Sequence, residues 1–428
     1  MSQIYLDLLI IICIGLLVWG ILKSERIYQF PFYMGGVFTS FILPQAVSLV
    51  FKPGLASPQA VQNVLIMSSL CAAMCWIGYS GNANLKLIKK LEFPFDEKKL
   101  LHAGILLIAF GSLCNALLFI VTPQTNSVGN WTGPSTIIYF FRQTFYIGLV
   151  ILLQSVIRKP RGSKINYLLL TLSPILYTII LGGRRSPTAG LILIFALSLF
   201  FEKRILPPRL LVASVILLGI FLIPLFGILR FGIWEKLFTG NLSVSDLMSG
   251  LDYIMQGKVL ELRNAAIIME YVKSEDEYGY GSGYWNGLVF QFVPGQIVGQ
   301  EFKSSLYINT GTTNLSAKLF EFTGYQIPTG STTTGIGDSF LEFGYFGCLI
   351  FAFLAYFFKN LWISSRYYGN SFSRIIYISL IYQMHWIITH GTYLFFATNL
   401  VFNSLFLILV KMYIYDGKKT ITRFTRYY

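Results

Sequence analysis

Residues 4–22 read IYLDLLIIICIGLLVWGIL, with Asp7 the sole charge and Lys23 directly after. A helix rises about 1.5 Å per residue, so a run of this length crosses the roughly 30 Å hydrocarbon core of a bilayer. Similar runs recur along the chain. Eleven spans are expected, near 4–22, 29–51, 60–80, 101–121, 134–156, 166–183, 187–202, 209–229, 336–358, 375–393 and 394–414. The runs are continuous, whereas barrel strands would alternate in and out, which excludes a β-barrel. Composition agrees: of 428 residues 54% are hydrophobic and 12% charged, against about 25% charged in soluble domains. The fold class expected is an all-α polytopic membrane protein, with no repeated halves and no span broken near mid-membrane.

Three regions follow: residues 1–229 with spans one to eight, a long loop at 230–335, and 336–428 with the last three spans and a tail. Lys and Arg cluster in alternate connections, from Lys23 and Arg26 through Lys86–Lys99, Arg158–Lys164 and Lys203–Arg209 to Lys359–Arg374 and the tail. The positive-inside rule puts these in the cytoplasm, the N-terminus outside and the long loop outside. The first span has its charges after it, so it is expected to be an N-out anchor rather than a cleaved signal. Net charge is +14, from 33 basic and 19 acidic residues. The basic residues are scattered between apolar runs and form no stripe, so nucleic acid is not an expected partner. All five cysteines sit in apolar runs and are read as core packing.

Within the loop, residues 245–272 place apolar side chains at helical spacing. They are read as one amphipathic helix lying on the membrane surface or capping a cavity. A turn-rich YGYGSGYWNGLVFQFVPG stretch follows, and Glu275–Asp276–Glu277 is read as a solvated acidic cluster.

Ionisable groups inside a membrane cost at least about 2.5–3.5 kcal/mol and are functional suspects for that reason. Arg142 lies about two turns inside span five, either pairing with a helix C-terminus or lining a cavity for an anion. Arg184 and Arg185, in LGGRRSPTAG, oppose the charge rule at an outer turn. Beside a helix N-terminus they suit a phosphate or pyrophosphate, or an ordinary phospholipid headgroup. Arg230 and Arg263 are two further outer cations. Asp338 and Glu342, in GSTTTGIGDSFLEFGYFG, share one helix face; they complement the helix dipole, pair with an arginine, or accept a proton from a sugar hydroxyl. Of three histidines, His102 is cytoplasmic, His385 mid-helix, and His390 alone is placed as an outer base. The short outer loops at 52–60 and 122–133 hold no Asp or Glu, so no metal cofactor is expected; arginines would stabilise a leaving pyrophosphate instead.

At these segments the chain resembles the bacterial O-antigen and oligosaccharide repeat-unit polymerases, the Wzy family, relatives of the O-antigen ligases. The resemblance rests on the span number with one large late loop, GGRRSPTAG, the Arg-led LRNAAIIMEYV followed by GYGSG, and STTTGIGDSFLEFGYFG, which is similar to the family's Glu-x-x-Gly-x-x-Gly helix start. It implies a GT-C-like glycosyltransferase of the bacterial inner membrane. Donor and acceptor would be undecaprenyl-pyrophosphate-linked oligosaccharides, with no cofactor and with a chain-length regulator in the membrane as a partner. Arg184 or Arg185 and Arg263, joined by Arg230, would hold the donor pyrophosphate. Ligases carry a His-Asn pair shortly before the helix start; here Thr332–Thr334 stand instead, which favours polymerase and leaves Asp338, Glu342 and His390 as candidates for the base.

Overall fold

The computed structural model describes residues 2–121, 124–125, 131–132, 134–180, 185–228, 233–241, 243–310, 313, 315–328, 330–367 and 371–417. Among these, nine helices are long and apolar enough to cross a membrane: Ser2–Leu22, Phe30–Phe51, Pro58–Ser80, Glu97–Leu118, Pro134–Arg158, Gly162–Ile180, Ser186–Lys203, Thr334–Arg366 and Thr392–Ile414. They match expected spans one to seven, nine and eleven. The chain is therefore an all-α multi-pass membrane protein, with one two-residue antiparallel pairing, Gln124–Thr125 on Trp131–Thr132. Expected span eight is a helix, Arg209–Ile228.

Expected span ten differs. A helix Ser371–Ile381 (α1) stops in the middle of the apolar run, the backbone turns at 382–384, and a short helix His385–Thr389 (α2) resumes. Span five breaks likewise at Arg142–Gln143, between Pro134–Phe141 (α3) and Thr144–Arg158 (α4). The expectation of unbroken spans is thus corrected. Neither break contains Pro or Gly, so no local residue announces it. Two other spans contain π-helical turns, Phe38–Ile42 and Phe396–Val401, a distortion common at functional sites.

Small residues let the helices approach closely, as membrane packing requires. Gly148 of α4 faces Gly104 of Glu97–Ile120 so tightly that a Cβ on Gly148 would overlap the Gly104 carbonyl. At the basic end of the bundle, Arg158 bridges Glu97 (3.0 Å) and Glu202 (2.9 Å), Arg374 reaches Glu202 (3.3 Å), and Arg366 pairs with Glu25 (2.6 Å).

The long loop is richer in structure than its polarity suggests. Residues 245–272 are two helices, Val244–Met255 (α5) and Glu261–Glu275 (α6), separated by Gly257 at φ +72°. Ser243 and Asp246 form a reciprocal capping box at the start of α5. α6 does not lie on a surface: Leu262, Asn264–Met269, Tyr271 and Val272 are buried, and it packs against Pro58–Ser80 and the start of span nine. Glu277 is not merely solvated either. It accepts from Tyr271 and Lys318, both at 2.7 Å.

Candidate functional site at the loop end of the bundle

Span nine opens with a helix Thr334–Phe343 (α7). Thr334 has φ +58°, a strained position for a β-branched residue and one that proteins tolerate mainly at functional sites. Asn264, fully buried in α6, holds the preceding segment in place. Its Nδ2 donates to Ser331 Oγ (2.7 Å) and the Thr332 carbonyl (2.9 Å), and its Oδ1 accepts from the Tyr325 hydroxyl (2.7 Å).

Asp338 and Glu342 project from α7, and both are buried, 3% exposed. Asp338 accepts from the Thr392 N–H (2.6 Å), the Thr392 hydroxyl (3.1 Å) and the Tyr393 N–H (3.4 Å). It caps the short helix Thr392–Phe395 (α8). Glu342 accepts from the N–H groups of Gly281 (2.8 Å) and Gly283 (3.1 Å), capping Ser282–Phe292 (α9). A Cβ on Gly279 or Gly283 would overlap the carboxylate, so a larger residue at either would displace it from this position. The Gly279 and Tyr280 N–H groups add bonds to the Leu341 and Glu342 carbonyls, both 2.9 Å. A third contact closes the triangle: the Tyr284 hydroxyl of α9 meets Thr392 Oγ1 of α8 at 2.6 Å. Burial pushes the Tyr284 phenol above its ordinary range, so it stays neutral. Among the described residues neither carboxylate pairs with an arginine. Both satisfy orphan helix donors instead.

His390 lies two residues before Thr392 and is exposed. Its ring stacks on Trp386 at 4.7 Å, and Nδ1 lies 2.7 Å from Thr389 Oγ1. Thr332 reaches the same turn, donating its hydroxyl to the Thr389 carbonyl (2.7 Å). Trp386 in turn donates Nε1 to Ser186 Oγ (3.1 Å), and Ser186 Oγ lies 2.9 Å from His385 Nε2. Tyr33 closes on His385 Nδ1 at 3.3 Å.

Ser186 directly follows the arginine pair of the GGRRSP turn, and it meets the Nε1 edge of the Trp ring on whose face His390 stacks. The helix after that turn begins at Arg185, two residues earlier than expected. Arg184, Arg230 and the side chain of Arg185 lie outside the described residues.

The remaining two arginines go to different neighbours. Arg142 sits at the C-terminal end of α3 with its guanidinium 4.2 Å from the Tyr139 ring, a position the helix dipole favours. Nearby, Tyr146 and Tyr382 bring the two broken spans together, ring centroids 5.3 Å apart. Arg263 donates Nη2 to the Lys52 carbonyl (2.8 Å), wedged between Gly54 and Gly257.

Three residues used here escape a reading of the sequence: His385, Asn264 and Tyr284. His385 looks like a mid-helix residue because nothing local marks the break at 382–384; Asn264 and Tyr284 gain their partners only across more than 60 residues of chain. Among the described residues no group of three or more His, Cys, Asp or Glu could hold a metal ion. No protein-family model, no curated protein and no solved structure matches this chain.

Proposed function

We propose that the chain is a glycosyltransferase that polymerises oligosaccharide repeat units carried on undecaprenyl pyrophosphate, acting without metal at the periplasmic face of a bacterial inner membrane. The observation that carries this reading is the Ser186–Trp386–His390 contact. It joins Ser186, which follows the arginine pair in the sequence and lies at a helix N-terminus suited to a diphosphate, through Trp386 to an exposed imidazole suited to proton transfer.

In the reaction proposed, a hydroxyl of the acceptor glycan attacks the anomeric carbon of the donor. The bond from that carbon to the diphosphate oxygen breaks, and the transition state has oxocarbenium character. His390 takes the hydroxyl proton, and the diphosphate departs with the bond's electron pair towards Arg184 and Arg185. Asp338 and Glu342 are positioning residues in this scheme, because their oxygens already accept from α8 and α9.

A groove suits the carrier's isoprenoid chain. It has a volume of ≈ 470 Å³ and is lined by Leu172, Leu176, Leu191, Ile192, Phe195 and Leu199, among others, on the two helices joined by the GGRRSP turn. The absence of histidine at Thr332–Thr334 weighs less against a ligase than the sequence implies, since His390 stands beside that segment in space.

Replacing Arg184, Arg185 or His390 singly by Ala should remove long-chain polysaccharide from glycan gels while single-repeat products persist. An unchanged ladder in all three variants sinks the proposal. The two interrupted spans favour one second reading, transport of an anionic lipid or sugar, because transporters bind substrate at such breaks. Uptake of labelled lipid-linked sugar into proteoliposomes would support it.

A further inference from the structure

The stretch from Tyr278 to Gln300 carries no charge, and no other run in the long loop goes as far without one. It builds most of a hairpin. The outgoing arm is α9, a single helical turn Gly295–Val298 (α10) follows Pro294, and Gly299, at φ +93°, separates that turn from the returning arm Gln300–Ser305 (α11). Three side chains tie the arms together. Trp285 donates Nε1 to the Leu306 carbonyl (2.8 Å), and Asn286 uses both ends of its amide on the Ile308 backbone (2.9 Å each). Lys303 Nζ donates to the Phe290 carbonyl (3.1 Å).

The open end of the hairpin is fixed at the candidate site, where Glu342 caps α9 and Tyr284 meets Thr392. From there α9 follows the final span, Thr392–Ile414, inward. The Tyr284 ring lies edge-on to Phe396, with centroids 5.8 Å apart. At the far end of α9 the Phe292 ring meets Phe140 of span five at 5.1 Å, and Phe140 meets Phe402 of the final span at 4.1 Å. Phe402 follows Phe396 by six residues, about 9 Å along a helix. The turn after Phe292 therefore lies beside two membrane-spanning helices, inside their apolar runs.

What this turn shows outward is largely apolar. Ile297 is 78% exposed and Phe302 54%, and Val298 is exposed between them. Leu409 and Met412 on the final span, 57% and 71% exposed, present the same kind of surface. A contiguous apolar patch of this sort marks an interaction site. The backbone is suited to lipid as well: the Val293, Ile297, Val298 and Gly299 N–H groups all bond to carbonyls within the hairpin, which is what a bilayer demands. Gln296, Gln300 and Glu301 are exposed on the same turn, so the insertion is shallow. An interfacial segment of this kind sits about 5–10 Å into the boundary of headgroups and acyl chains, with its polar side chains among the headgroups.

We propose that residues 282–305 are an interfacial membrane hairpin, with Ile297, Val298 and Phe302 among the acyl chains of the leaflet at the loop end. Its occupant is lipid because Phe292, directly before the turn, is seated against two spans. The hairpin holds the candidate site at the bilayer surface, whatever the protein transfers there.

The test attaches a nitroxide to Ile297→Cys and Phe302→Cys in the full-length protein. The five native cysteines are buried, and the unsubstituted protein gives the background. In vesicles of phosphatidylethanolamine and phosphatidylglycerol, collision with oxygen, which partitions into lipid, is compared with collision with a water-soluble nickel chelate. Leu409→Cys and Glu275→Cys serve as the lipid and water references. The oxygen-to-nickel ratio at 297 and 302 should exceed that at 275 by at least about fivefold and approach that at 409. If Phe302→Cys fails to fold, Ile297→Cys, at the more exposed position, reads the same quantity. A ratio equal to that at 275 would place the turn in water and overturn the proposal. Low collision with both reagents would mean that protein, such as a second copy of the chain, covers the face, and would overturn it equally.

Discussion

The two ends of the bundle handle charge in opposite ways. At the basic end, side chains pair with side chains: Arg158 and Arg374 share the nearly buried Glu202, and Arg366 holds Glu25. At the loop end the two acids of span nine turn to the backbone, while Asp246 and Glu277 of the loop pair with lysines. Asp338 and Glu342 cap α8 and α9, while Arg142 rests on a ring and Arg263 on a carbonyl. Neither of those two arginines forms an ion pair among the described residues. The basic end uses its few acids to tie arginines of different helices together, as a clamp. The loop end keeps the span-nine acids occupied and leaves Arg142 and Arg263 without a counter-ion among the described residues.

Breaking the clamp should have the largest effect. Glu202→Ala leaves Arg158 and Arg374 without their shared carboxylate, and removing one member of a buried pair costs about 3–5 kcal/mol. Thermal unfolding in detergent should record the largest loss among these variants. A loss no larger than that of an exposed-pair variant would show the clamp to be solvated and the contrast between the ends to be false.

Removing a cap should cost less and act locally. Asp338→Ala or Glu342→Ala removes the carboxylate that caps a helix start, at about 0.5–2 kcal/mol. Hydrogen exchange should rise at 392–395 in the first variant and at 281–284 in the second, with little change at the basic end. Asp338→Asn retains an acceptor for the Thr392 N–H and should recover most of the protection. If Asp338→Asn is as inactive as Asp338→Ala while protection is restored, the carboxylate has a chemical role beyond capping.

The smallest effect concerns pH. The Lys318 ammonium, and after it the Tyr271 hydroxyl, hold Glu277 below its ordinary carboxylate value of 4.5. A lowered folded pKa means the stabilisation is complete above 4.5 and is lost as pH falls through the folded value. Exchange at 273–279, corrected for its intrinsic pH dependence, should therefore be slow at pH 6 and faster at pH 3. Glu277→Gln should flatten that difference.

Much of this was legible in the residues. Apolar run length located the nine spans now seen, because a bilayer demands continuous hydrophobic helices whatever they pack against. The same reading singled out Asp338, Glu342, His390 and the arginine pair as unusual at their depth. Their partners were not legible. Asp338 and Glu342 could equally have met arginines, and only the fold delivers Thr392 and Gly281 to them. The amphipathic pattern of 245–272 marked a helix with one apolar face but could not say whether lipid or protein would cover it; α6 went to protein.

The number and length of apolar runs, the poverty of charge and the lone polar groups inside them determined a helical membrane protein with its unusual residues at one end. Tertiary structure decided where spans five and ten break, which helix each carboxylate caps, and that Trp386 links Ser186 to His390. The physical reason is range. Solvation of an apolar run depends on the run itself, whereas a break or a cap survives only if distant groups satisfy the backbone it exposes.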